Sequence, residues 1–268
     1  MAENSPEFQE YRRTVTLLDD EFMSIVFDNN IPCVEEMLKI ILKRDDLIVK
    51  SARTQRDFQG FERSVTLDVF AVDSAKTNYN IEFQNTNEGA DFRRARFHGG
   101  MIDVHSLKPG QPFKDLPECY VIFITQHDVI GYGKMIYTMH RYIDGDLQPF
   151  DDGSHIIYVN ASAKDDGSQL WKLIHDLQCP DPDKMFLPRL RARVSFLKGQ
   201  EEGDKIMGSA FEKAVGKIVE KDRKNTLESV ALDLIKFGKM NFDEIAQVAH
   251  LTLDRIEQLA ASVKAAEN

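Results

Sequence analysis

The chain has 268 residues, of which 34 are Lys or Arg and 44 are Asp or Glu, giving a formal net charge of −10 at pH 7. That balance excludes a nonspecific basic coat for nucleic acid, and 42% hydrophobic with 29% charged residues excludes a disordered or fibrous chain. No apolar run reaches the roughly 18 residues that a membrane helix needs, and the opening MAENSPEFQEYRR lacks the apolar stretch of a signal peptide, so the expected setting is the cytoplasm, with no membrane partner.

In chain order, Thr16 to Lys43 reads as helix, with Phe22, Ile25, Val26, Met37, Leu38, Ile41 and Leu42 at three- and four-residue spacing around a break at Asn29-Asn30-Ile31-Pro32. From Leu47 the period changes. Ser64 to Val72 and Tyr79 to Gln84 alternate with the two-residue rhythm of strands about a turn at Asp73 to Asn78, which predicts a hairpin. Gly89 to His105 predicts a helix, ended by the loop Leu107 to Pro112. Tyr120 to Thr125 is a nearly unbroken apolar run, as in a strand buried on both faces, and Met135 to Tyr142 and His155 to Val159 read as further strands. This order predicts an α/β core, a mixed sheet flanked by helices. After about Phe196 only helical patterns remain: Lys205 to Lys221, Leu227 to Phe237 and Phe242 to Leu259, with Gly238 as a C-cap. The expected division is a core domain over 1–198 and a helical C-terminal extension over 199–268.

Phosphate-binding glycine loops, HExxH and GxSxG are absent, and Cys33, Cys119 and Cys179 are too far apart for a CxxC knuckle, so carboxylate chemistry remains. Strand alternation places Glu82 and Gln84 on one face of their strand, opposite Ile81 and Phe83, and puts Asp68 on the face opposite Val65, Leu67 and Val69. A turn centred on Ala75 sets Asp68 directly across from Glu82; one centred on Lys76 pairs Asp68 with Gln84; a one-residue slip separates the groups. Opposed carboxylates repel across antiparallel strands, and a divalent cation with oxygen ligands relieves that. The same pattern also fits a solvated hairpin face.

The run Arg63 to Asp73 followed by Tyr79 to Gln84 resembles the nuclease core of the PD-(D/E)XK family transposases, the recombination-promoting nuclease group of bacteria. Leu18 to Phe27, Asn30 to Cys33, Ile40 to Leu42, Arg93 to Phe97 with Ile102-Asp103, Asp115 to Glu118, Tyr120 to Thr125 and Ile156 to Asn160 resemble other segments of the family, in order and spacing. The resemblance implies a PD-(D/E)XK restriction-endonuclease-like core and an Mg²⁺- or Mn²⁺-dependent DNA endonuclease that serves transposition or recombination of mobile elements. It implies that Asp68 and Glu82 are metal ligands and that the carbonyl of Phe83 is a further one. Gln84 falls where many relatives have lysine; glutamine is neither a cation nor a base, but its amide can orient the attacking water. Glu35 matches a glutamate that reaches the same site, although it reads equally as a surface residue of an amphipathic helix. Arg93, Arg94 and Arg96 are expected on DNA phosphates, the other reading being a solvated helix face. The tail has the length of a helix-turn-helix, but Asp254 and Glu257 beside Arg255 make a poor phosphate surface, which favours packing or a homodimer. The rival classes are a catalytically degenerate relative that binds DNA or a protein, and a nuclease toxin.

Overall fold

A computed structural model describes residues 5–60, 62–85, 87–145 and 148–266. The chain forms two compact units, Met1–Ala210 and Phe211–Asn268.

The first unit opens with α1 (Pro6–Thr14), α2 (Asp20–Phe27) and α3 (Ile31–Leu42). The break between α2 and α3 falls where the sequence places it: Asn29 takes a left-handed φ of 54°, and Pro32, whose fixed φ suits a helix start, sits in the first turn of α3. The apolar stripes of both helices, including Phe22, Val26, Phe27, Val34, Met37 and Leu38, are fully buried. Each such side chain contributes about 1.5–3 kcal/mol by leaving water.

The sheet has six strands, β1 (Val49–Phe58), β2 (Val65–Asp73), β3 (Asn78–Gln84), β4 (Cys119–Thr125), β5 (Ile136–Met139) and β6 (Ser154–Asn160), in the order β1-β2-β3-β4-β6-β5. It is mixed: β1, β2 and β3 are antiparallel in turn, β3, β4 and β6 are parallel, and β5 closes the far edge antiparallel to β6. The helix α4 (Phe92–Ser106) links β3 to the parallel β4, as such a connection requires. β4 lies inside the sheet and is buried at all positions except the partly exposed Tyr120, which accounts for its unbroken apolar run. Phe27 of α2 stacks on Phe83 at 5.7 Å between ring centroids. Glu82, on the opposite face of β3, meets Arg94 and His98 of α4 instead. The α/β class and a mixed, open sheet flanked by helices therefore hold. The unit also contains α5 (Gln169–Gln178) and α6 (Pro188–Gly199), neither distinguished in the sequence, and β1, whose polar, edge-strand composition hid it.

The helix α7 (Glu201–Phe237) contains the unit boundary. Two separate helical patterns were expected over this stretch, but the intervening Asp222-Arg223-Lys224-Asn225-Thr226 is helical too. It holds neither Gly nor Pro, and Arg223 and Lys224 lie 3.9 Å from Glu220 and Glu228 at helical spacing. In the second unit Ala231 packs with Ile245 and Ala249 of α8 (Phe242–Ala249) and with Ile256 and Leu259 of α9 (Leu253–Ala266). Asn241 and Glu244 cap α8 reciprocally, and Gly238 ends α7 at φ +68°. Among the described residues no helix is long and apolar enough to cross a membrane.

Candidate active site

The geometry of the hairpin begins at its turn. Asp73 accepts hydrogen bonds from the Ala75 and Thr77 amides, both at 2.9 Å, and from the Tyr79 hydroxyl at 2.9 Å, while Lys76 takes the left-handed conformation at φ 70°. That clamp sets the register, with Phe70 opposite Asn80 and Val69 opposite Ile81. The next pair is Asp68 and Glu82, as a turn centred on Ala75 requires.

At this pair the ladder ends and the strands fork. The Phe83 amide, freed from β2, donates to Asp68 Oδ2 at 2.9 Å, and the Asp68 amide donates to Glu82 Oε1 at 3.3 Å. Each carboxylate thus accepts a backbone N–H from the other strand. On β1 the residue facing Asp68 is Gln55, at a left-handed φ of 50°; its amide lies 3.5 Å from Asp68 Oδ1. Glu82 is fully buried and Asp68 partly so, which removes the solvated-face reading for Glu82.

A buried carboxylate needs partners, and α4 supplies them. Arg94 Nη2 lies 3.2 Å from Glu82 Oε2, and Nη1 donates to the Gly89 carbonyl at 2.8 Å and the Gln84 amide oxygen at 3.4 Å. Arg94 Nε donates to His98 Nε2 at 3.3 Å, and His98 Nδ1 lies 3.4 Å from Glu82 Oε1 and 3.1 Å from the Asn80 side-chain amide nitrogen. Gly89 permits the Gln84 contact: a Cβ there would stand 1.8 Å from the Gln84 oxygen. Among the described residues Asp68 makes no ion pair, and burial, reinforced by the charge of Glu82, pushes its carboxyl up to about 7; the Phe83 amide and the charge of Arg94 oppose this and Asp20 adds to it. Asp20, in the first turn of α2, is an electrostatic neighbour of the pair that carries no motif of its own.

The structure separates two sets of residues that were expected to act together. Glu35 does not join the pair: it is held by Lys39 at 2.9 Å and by the Val49 amide at 2.9 Å. Val49 faces Asp73, five residues along β2 from Asp68, or about 16 Å at strand rise. Nor do the three arginines act alike, because Arg93 and Arg96 are exposed while Arg94 turns inward to Glu82. The helical stripe shared by Arg94, His98, Met101 and Ile102 is the sequence signal for that inward turn.

The oxygen donors for a hard cation are the Asp68 and Glu82 carboxylates and the Phe83 carbonyl, which points to the same strand edge as the Phe83 N–H. Among the described residues no group of three or more His, Cys, Asp or Glu is placed to hold a metal ion, so any ion here would keep water or substrate oxygens in its remaining positions, a pattern that suits Mg²⁺. Site and fold together define an α/β chain with a paired-carboxylate centre at the fork of a hairpin. Comparison with family models, curated proteins and solved structures gives no match.

Proposed function

We propose that the chain is a metal-dependent DNA endonuclease of the PD-(D/E)XK kind, hydrolysing phosphodiester bonds at Asp68 and Glu82. The observation that carries this reading is the pair itself: two carboxylates brought side by side, Glu82 fully buried with one arginine and Asp68 with no ion pair among the described residues, an excess of negative charge that costs stability unless a further cation meets it. Asp68, Glu82 and the Phe83 carbonyl would hold Mg²⁺ or Mn²⁺, and their all-oxygen character fits either ion. When bound, the ion supplies Lewis-acid polarisation of a phosphoryl oxygen and lowers the pKa of a bound water.

The chain's own residues do the rest. Burial and the charge of Glu82 push the Asp68 carboxyl up to about 7, so near neutral pH it would give up a proton on holding a cation. Arg94 fixes Glu82 and takes the oxygen end of the Gln84 amide, which leaves the NH₂ donor for a water or a phosphoryl oxygen. Arg93 and Arg96, exposed on α4, supply phosphate contacts that position the strand without reading its sequence. The link to mobile elements rests on the sequence resemblance alone.

A second reading, a DNA- or protein-binding relative that does not cut, is favoured by one observation: Arg94 already neutralises Glu82 without a metal. Incubating supercoiled plasmid with Mg²⁺ and either the native protein or the double variant Asp68→Ala, Glu82→Ala separates the two. Nicking by the native protein alone supports the endonuclease. Equal nicking by both sinks the site, and DNA binding with no nicking by either supports the binder.

A further inference from the structure

Arg93, Phe97, Met101 and Val104 follow one another on α4 at four-, four- and three-residue spacing and so share one stripe of the helix. Met101 is buried, but Phe97 is 40% and Val104 67% exposed. Facing this stripe, the connection between β1 and β2 contributes Gly60 and Arg63, and the two elements enclose an apolar groove of about 570 Å³. The Arg63 guanidinium sits over the Phe97 ring, 6.0 Å from its centroid. Gly60 keeps the floor open: a Cβ there would stand 2.2 Å from the Arg63 carbonyl oxygen and 3.2 Å from the Met101 methyl. Glu62 is the acidic residue on the rim.

The groove neighbours the acid pair through α4. Arg94, on the inner side of the helix, holds Glu82, and Phe97 lies three residues further, about 4.5 Å along the axis. Arg93, exposed, lies one turn before Phe97 on the groove's own stripe.

We propose that this groove seats an unpaired nucleobase of the strand held at Asp68 and Glu82, so that the substrate is single-stranded or locally unpaired DNA; this rests on the endonuclease reading. An apolar groove with a partly exposed ring suits the face of any base, and stacking of this kind tolerates any sequence. Arg63 and Arg93 meet the phosphates on either side of that base, with cation–π contact from Arg63. An apolar side chain of a partner protein would have no use for the two arginines. A base in intact duplex reaches such a slot only by leaving its stack, which is the origin of the preference.

The test measures binding of a short single-stranded oligonucleotide carrying 2-aminopurine, and of the matching duplex, to protein bearing Asp68→Asn so that the probe survives. The single strand should bind more tightly and its fluorescence should change on stacking. Phe97→Ala should weaken single-strand binding by about 5- to 150-fold, Phe97→Trp should retain it, and Arg63→Ala should weaken it, with circular dichroism confirming that each variant is folded. Equal affinity for both probes, or a Phe97→Ala variant that binds as before, overturns the proposal. So does a Phe97→Ala effect confined to sedimentation, which would assign the groove to a second copy of the chain. Plasmid nicking by the native protein keeps the two readings apart: nicking with Phe97 inert to binding removes the base site alone, whereas no nicking and no binding of either probe removes both.

Discussion

At Asp68, burial and a neighbouring negative charge act in the same direction, and the physical result is a carboxyl that resists ionisation. In the unfolded chain this group ionises near 3.8, whereas in the fold it keeps its proton to about 7. Within that window unfolding releases a proton, so the stability of the metal-free protein falls as pH rises from about 4 to 7. Asp68→Asn keeps an acceptor for the Phe83 amide and removes the titration. It should therefore raise the melting temperature at pH 8 in chelator by a few degrees, leave it unchanged near pH 4, and abolish nicking; scanning calorimetry at the two pH values checks the first two. Sacrificing stability for a charged centre is a familiar cost of activity. Alternation placed Glu82 and Gln84 on one face of their strand and Asp68 opposite the apolar residues of its own, and so that part of the site was legible. The register was not, because the turn chemistry of Asp73 and Lys76 had to choose between two centres. The inward turn of Arg94 was hard to read because its neighbours Arg93 and Arg96 are chemically identical to it, and only the stripe it shares with His98 tells them apart.

The β2–β3 hairpin is clamped at one end and forked at the other, and the clamp can be tested separately from the fork. Asp73 is buried and accepts three hydrogen bonds. Asp73→Ala should cost about 3 kcal/mol, given roughly 1.5–3 kcal/mol for a bond to a charged group and incomplete additivity; urea unfolding measures it, and Asp73→Asn should recover much of the loss. The 3-10 turn Asn87–Ala90, between β3 and α4, acts at the other end. Gly89→Ala places a methyl group in the position of the Gln84 oxygen, and displacing a positioning group by about 1 Å costs up to about 100-fold in rate. Nicking rates and urea midpoints should separate here, with the rate falling far more than the stability. Helices and strands with strong apolar periodicity were legible, the paired helices α2 and α3 and the buried β4 above all. β1 was not, because an edge strand with exposed Lys50, Arg53 and Arg56 carries no two-residue apolar rhythm. The continuity of α7 was hidden for a related reason: residues 222–226 are polar all round, and a polar stretch reads as a gap between helices.

For the whole molecule, the charge of −10 is distributed rather than pooled, and several of its carboxylates are spent on backbone N–H groups. Glu35 is one of them, and with Asp28 it shapes how the chain behaves in company. β1 lies at the edge of the sheet, where unpaired N–H groups are a template for strand addition by another molecule. The Val49 amide is taken by Glu35 at 2.9 Å and the Thr54 amide by Asp28 at 3.2 Å, and next to Thr54 the left-handed Gln55 breaks the regular row of donors. A third strand laid along this edge would find its hydrogen bonds already claimed at two points and its line interrupted between Thr54 and Arg56. Glu35→Ala should therefore leave nicking unchanged, about 16 Å from the acid pair, yet increase light scattering on prolonged warming below the melting temperature; a variant that lost nicking instead would return Glu35 to the chemistry. The two guards and the left-handed Gln55 break that edge into short pieces, so that in a crowded solution a neighbouring chain meets a row of donors too interrupted to copy.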